Sequence, residues 1–219
     1  MHLLVVVAHP DDESFGTGSV LARARALGWR TSVVCATRGE AGETTLDVDD
    51  LGAVREQELR AAADVLGVDE VRVLGYPDGG VADVAELPEV LAPIVDELDP
   101  DVVVTLDGGD GHPDHAAVRD ATLAVVGDRS TYLWCLARSS MRRWVEHRTG
   151  EAPVDPVGTP DEEITHRLDV SAHLDLRWRA IRAHASQVSP YDGLPADLQH
   201  DFLATDRFRH VRGPDRLLA

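Results

Sequence analysis

The chain has 219 residues, 43% of them hydrophobic and 27% charged. That is enough for one well-packed domain, residues 1–219, and it excludes disordered and fibrous classes. Twenty-one basic residues stand against thirty-nine acidic ones, a formal net charge of −18, so no nucleic-acid partner is expected. Every basic residue is arginine, which removes Schiff-base and P-loop lysines from consideration.

No apolar run reaches the ~18–20 residues of a membrane span. The first apolar stretch lacks a basic leader and ends at His9-Pro10-Asp11-Asp12, unlike a signal peptide, so a cytoplasmic protein is expected. The two cysteines, Cys35 and Cys135, lie in apolar, strand-like runs and read as buried, inert thiols. The sequence leaves a homo-oligomer open.

In chain order, residues 3–8 form a continuous apolar run, as a buried parallel strand does. A helix over 19–27 stops at Gly28. A strand over 31–36, a helix over 51–66, a strand over 70–74 and a Pro-interrupted helix over 84–98 follow, then a strand over 101–106 and a helix over 114–126. This alternation predicts an α/β fold, a Rossmann-like, mostly parallel sheet flanked by helices. Beyond it a less regular C-terminal part is expected, with strands over 131–137 and 163–170, for which antiparallel pairing is left open, and a helix over 172–184. Two long loops, 38–50 and 148–162, interrupt the pattern. The first is polar, follows a strand, and is expected beside the site.

Two His-Pro-Asp motifs follow two of these strands. His9-Pro10-Asp11-Asp12-Glu13 follows the first, and His112-Pro113-Asp114-His115 follows residues 101–106 after a glycine-rich turn. Ligands bind at the carboxyl ends of strands in open α/β sheets. His9 and Asp12 are three residues apart on a turn into a helix, and His115 can add a third donor. Two histidines and one carboxylate leave coordination positions open, the pattern of a catalytic metal site. Taken singly, Asp12 and Asp114 also suit helix N-caps, and either histidine suits an ordinary loop. Gly16-Thr17-Gly18 lacks the third glycine of a dinucleotide loop, and Asp107–Gly111 lacks EF-hand spacing.

These residues resemble the PIG-L/LmbE-like de-N-acetylase family, which carries an A-H-P-D-D-E box after the first strand and an H-x-D-H box after a later one. Thr37-Arg38-Gly39-Glu40-Ala41-Gly42, Arg55-Glu56-Gln57-Glu58, Tyr76-Pro77-Asp78-Gly79 and His184-Ala185-Ser186-Gln187 extend the likeness over roughly residues 3–190. The resemblance implies hydrolysis of an amide C–N bond in an N-acetylated, GlcNAc-type amino sugar or its conjugate. It implies His9, Asp12 and His115 as Zn2+ ligands; Fe2+ and Mn2+ suit the same donors. Asp11 matches a general base, His112 a group that stabilises the oxyanion or protonates the amine, and Asp114 a carboxylate that orients His112. Arg55 and Asp78 match sugar contacts. Mycothiol-pathway relatives carry a tyrosine where this chain has Asp110, and Tyr76, Tyr132 or Tyr191 are the remaining candidates to supply one. The rival readings are a thiol-conjugate amidase and a non-catalytic glycan or small-molecule binder.

Overall fold

A computed structural model describes residues 1–217. Its strands are β1 His2–Val7, β2 Arg30–Thr37, β3 Glu70–Tyr76, β4 Val102–Leu106, β5 Ser130–Trp134, β6 His166–Asp169 and β7 Thr205–Arg212. They form one sheet in the order β3-β2-β1-β4-β5-β7-β6. The pairs from β3 to β5 are parallel, and β7 pairs antiparallel with both β5 and β6. Helices α1 Asp12–Phe15, α2 Gly18–Ala26, α3 Leu51–Leu66, α4 Leu87–Leu98, α5 Pro113–Val125, α6 Arg138–Thr149, α7 Leu174–Ala183 and α8 Ala196–Leu203 pack around it.

The apolar run at the start feeds two cores. Leu3, Val5 and Val7 join Leu21, Leu59, Leu66 and Ala180 on one face of the sheet. Leu4, Val6 and Ala8 join Leu91, Val95 and Val118 on the other. Side chains alternate across a strand, so a strand covered on both faces must be apolar throughout, and all six β1 residues are buried. Helix α3 starts where the acidic run ends, with Asp50 Oδ1 accepting the Ala53 N–H at 2.9 Å.

Strand β1 lies between β2 and β4. The chain winds outward from β1 to β2 and β3, then returns to β4 on the opposite flank, so the winding reverses between β1 and β4. Loops leaving a sheet at such a reversal diverge and open a crevice. Those two loops carry the two His-Pro-Asp motifs.

The C-terminal part is more regular than its sequence suggests. The expected strand over 131–137 is parallel and ends at Trp134; the chain then enters α6, which the sequence reading had not anticipated. Helix α8 and strand β7 were also unanticipated, and β7 is the antiparallel partner of β6. Strand β7 turns a carboxylate, Asp206, inward, where it pairs with the fully buried Arg177 at 2.8 Å. The same guanidinium donates to the carbonyls of Ser14, Phe15, Gly16 and Leu203, so it ties α7 to the end of α1. Removing one member of a buried ion pair strands the other. Arg177→Met is therefore expected to lower unfolding free energy by about 3–5 kcal/mol, read from the chemical-denaturation midpoint; an unshifted midpoint would contradict this role.

Candidate metal centre

After β1 the chain turns through Ala8-His9-Pro10 into α1. Asp11 takes φ 121° at the helix N-cap, a conformation that costs an L residue roughly 1–3 kcal/mol. Four hydrogen bonds hold it there. Its N–H donates to Glu13 Oε2 at 2.9 Å, and its carbonyl accepts the N–H groups of Ser14 and Phe15 at 3.0 and 2.7 Å. Its Oδ2 accepts from Arg55 Nη2 at 3.0 Å. Glu13 is fully buried and its other oxygen meets His184 Nε2 at 2.7 Å. The neighbouring Asp12 serves different partners: its Oδ2 accepts the N–H groups of His9 and Ala8 at 2.9 and 3.2 Å. Asp12 lies inside α1, whose N-cap position is Asp11.

After β4, the turn through Gly108 and Gly111, both at positive φ, leads into α5. His112 is the N-cap, and its Nδ1 accepts the Asp114 N–H at 3.2 Å. An accepting Nδ1 fixes the neutral tautomer with its proton on Nε2. The Asp114 carboxylate is fully buried and accepts the N–H groups of Gly79 and Val81 at 2.9 and 3.1 Å. It faces His9 Nε2 at 3.3 Å and makes no hydrogen bond to the His112 ring, although a nitrogen of that ring lies within 4.8 Å of it. Its own backbone N–H is what meets the His112 ring.

The two motifs meet at one point. His9 Nδ1 lies 3.3 Å from His115 Nε2 and 3.7 Å from Asp12 Oδ2, and His115 Nε2 lies 3.4 Å from Asp12 Oδ1. Ligand atoms about 2.0–2.1 Å from a tetrahedral cation are separated by roughly 3.3–3.4 Å, so the donors present fit a small divalent ion. The far side of each ring is also held. His9 Nε2 meets Asp78 Oδ1 at 3.0 Å as well as Asp114, and His115 Nδ1 meets Asp110 Oδ2 at 2.5 Å. Carboxylates behind ligating imidazoles fix the tautomer and raise basicity.

The electrostatics are those of a cation site. Burial works against a charged His9 ring, but Asp12 and Asp78 more than reverse this and push its pKa up to about 10. Burial likewise opposes a charged His115, yet Asp12 and Asp110 push it up to about 11. Asp12 is held well below the usual carboxylate range, its burial outweighed by the two rings. Asp11 moves the other way: burial and the Asp12 charge push it up to about 7, with Arg55 opposing. His112 is lowered by burial and by the neighbouring His115 and His9 rings.

The remaining expected residues fall around this point. Asp78 backs His9, and its Oδ2 accepts the Ala41 N–H at 3.1 Å. The loop 38–50 thus lies at the sheet edge that carries the metal ligands. Arg55 is buried, and its guanidinium is occupied by the Gly39 and Pro10 carbonyls, each at 2.6 Å, and by Asp11. It ties α3 to two loops, those after β1 and β2, and an outward sugar contact is not what its hydrogen bonds describe. Tyr191 reaches the site wall but donates its hydroxyl to the Phe15 carbonyl at 2.8 Å. Burial raises both thiols, Cys135 to about 12, so neither is a nucleophile.

Sequence reasoning missed the role of Asp110, which entered only as a departure from a tyrosine pattern. The signal was its position five residues before His115, on a turn that folds back. Asp110→Asn keeps the shape and removes the charge behind His115. It is expected to weaken metal affinity by roughly 10–100-fold in a chelator competition, and unchanged affinity would remove Asp110 from the site.

Comparison with known proteins decides the family. Residues 4–126 match the family described as PIG-L: GlcNAc-PI de-N-acetylase. The chain belongs to the PIG-L family. It is 33% identical to a 1D-myo-inositol 2-acetamido-2-deoxy-alpha-D-glucopyranoside deacetylase of Geodermatophilus obscurus, covering 96% of this chain and 92% of the relative. That alignment spans 270 positions, more than this chain's 219 residues, so the relative carries about fifty or more residues that this PIG-L chain lacks. N,N'-diacetylchitobiose deacetylase from Pyrococcus horikoshii shares the fold at a TM-score of 0.69 and 21% identity, over 97% of this chain and 84% of that one. So does the 4-carboxy-2-hydroxymuconate hydratase GalB of Pseudomonas putida, at 0.71 and 18%, over 98% of each chain. The fold therefore hosts more than one reaction, and family membership rests on the sequence match. The PIG-L chain is an amidohydrolase of the de-N-acetylase kind. Among the described residues no helix is long and apolar enough to cross a membrane.

Proposed function

We propose that this protein hydrolyses the amide of an N-acylated, GlcNAc-type amino sugar or its conjugate, with a divalent cation, zinc on this donor set, held by His9 Nδ1, Asp12 and His115 Nε2. The observation that carries this reading is the convergence of those three donors within 3.3–3.7 Å, with a separately held carboxylate, Asp11, beside them. A cation bound there acidifies water and polarises a carbonyl.

The chain's own residues supply the rest. Asp11, raised toward neutrality and aligned by Arg55 and Glu13, is the base that takes a proton from the attacking water. His112 offers its Nε2–H to the oxygen on which negative charge develops; its ring stacks on His115 at 4.6 Å, within the same pocket of charge. The amine must leave with a proton, because an amide anion is a poor leaving group. Asp78, Asp110 and Asp114 hold the ligand rings and do not enter the reaction.

The test is release of carboxylate and free amine, in equal amounts, from N-acyl glucosamine conjugates by metal-reconstituted protein. Stoichiometric metal with no release from any such conjugate would overturn the reading. In that case the non-catalytic binder would remain.

A further inference from the structure

Beside the metal centre lies a cavity of about 260 Å³. One end is formed by Asp12, His115 and Asp110; the rest of the wall is apolar and includes Phe15, Trp134, Leu136, Met141, Trp144 and Phe202. Five of these six are only partly buried: they pack on the neighbouring core clusters and also line the cavity. Two polar tips in this wall are already engaged. Tyr191 donates to the Phe15 carbonyl, and Trp144 Nε1 donates to the Pro190 carbonyl at 3.0 Å. A sugar ring placed here would lose hydration from its hydroxyls and find few partners among the wall side chains. Asp11, Arg55 and Asp78 are not part of this wall.

We infer that this cavity is an acyl pocket, and that the preferred substrate carries an N-acyl chain longer than acetyl, of about five to eight carbons or an aryl acyl group. The inference rests on the proposed amide hydrolysis and assigns the two sides of the amide. The carbonyl carbon must sit at the metal centre, so the acyl chain enters the apolar cavity and the amino sugar projects to the other side. An apolar cavity of about 150 Å³ is known to hold benzene; one of 260 Å³ is far larger than one methyl group requires. In the reaction, Asp11 takes a proton from the water as the water oxygen adds to the acyl carbon, that proton passes to the nitrogen as the C–N bond breaks, and the chain departs as a carboxylate from this pocket.

The experiment compares N-acetyl, N-butyryl, N-hexanoyl and N-benzoyl glucosamine with the metal-reconstituted protein. Each buried methylene contributes about a three- to fourfold gain, so kcat/KM is expected to rise at least tenfold from acetyl to hexanoyl. Met141→Trp, which fills the cavity, should lower the hexanoyl-to-acetyl ratio at least tenfold. A flat or falling series with acetyl still turned over would overturn the acyl pocket and leave the amide hydrolase standing. A gain seen only when an alkyl chain is placed on the sugar's aglycone would overturn the assignment of sides. Binding is read independently by tryptophan fluorescence. Hexanoate, and not acetate, should change the emission, and Trp144→Phe should diminish the change. Hexanoate binding without turnover of any amide would support the pocket and reject the hydrolase, whereas no response to hexanoate would reject the pocket.

Discussion

Asp12→Ala is expected to abolish stoichiometric metal binding. Asp12 is the carboxylate whose two oxygens face both ligand rings, Oδ1 toward His115 at 3.4 Å and Oδ2 toward His9 at 3.7 Å. Removing one of three donors from a site that binds by ~10 kcal/mol or more forfeits about a third of that, a loss on the order of 10²-fold or greater in affinity. The same substitution also strands the N–H groups of Ala8 and His9, so a thermal-stability control is needed. Asp12→Asn retains an acceptor for them and removes the charge that favours a cation, which separates lost ligation from lost folding. His9→Ala and His115→Ala should behave like Asp12→Ala in metal content after dialysis against dilute metal. Full occupancy in any of the three alanine variants would sink the ligand assignment.

The N-terminal half of the fold is legible because its signals are strong and local. An unbroken Val/Leu run can be stable only between two covering layers, and β1 lies between two cores. Asp50 before residue 51 and Gly67 after residue 66 punctuate α3 at its observed ends. The C-terminal elements were hidden because their stability comes from distant partners. Helix α6 is largely polar, and its Trp144 and Met141 pack on α8 residues far along the chain. Strand β7 carries Asp, Arg and His where alternation would suggest apolar residues, and its inward Asp206 is made tolerable only by Arg177.

The site divides the same way. Which residues converge was readable, since the two motifs follow strands that the alternation predicts, and a reversal of winding brings neighbouring loops together. Which atom faces which was not. Asp114 sits two residues from His112, yet its carboxylate turns to His9 because Gly79 and Val81, from the loop after β3, offer it two N–H groups. Arg55 resembles a substrate contact, yet the Pro10 and Gly39 carbonyls claim its guanidinium. Side-chain direction in both cases is set by hydrogen bonds from loops remote in sequence, which spacing does not encode.

Asp11→Asn distinguishes an enzyme from a binder, and its expected effect is on rate alone. The asparagine is nearly isosteric, retains an oxygen for Arg55 and leaves the backbone bonds to Glu13, Ser14 and Phe15 in place, so the strained turn should survive. Its side chain takes none of the three positions that converge near His9 Nδ1, so metal content should also survive. What disappears is basicity. If Asp11 accepts the proton of the attacking water, kcat per bound metal should fall by on the order of 10²–10⁴ while KM changes little. If Asp11 merely supports the turn, the loss should appear in thermal stability or metal content, and each remaining metal-loaded molecule should turn over normally. Arg55→Gln supplies the complementary readout: losing the cation that opposes burial raises the Asp11 pKa further, so the acid limb of the kcat/KM profile should move to higher pH. Near-normal turnover per metal in Asp11→Asn, or an acid limb unmoved by Arg55→Gln, would each remove Asp11 from the role of base.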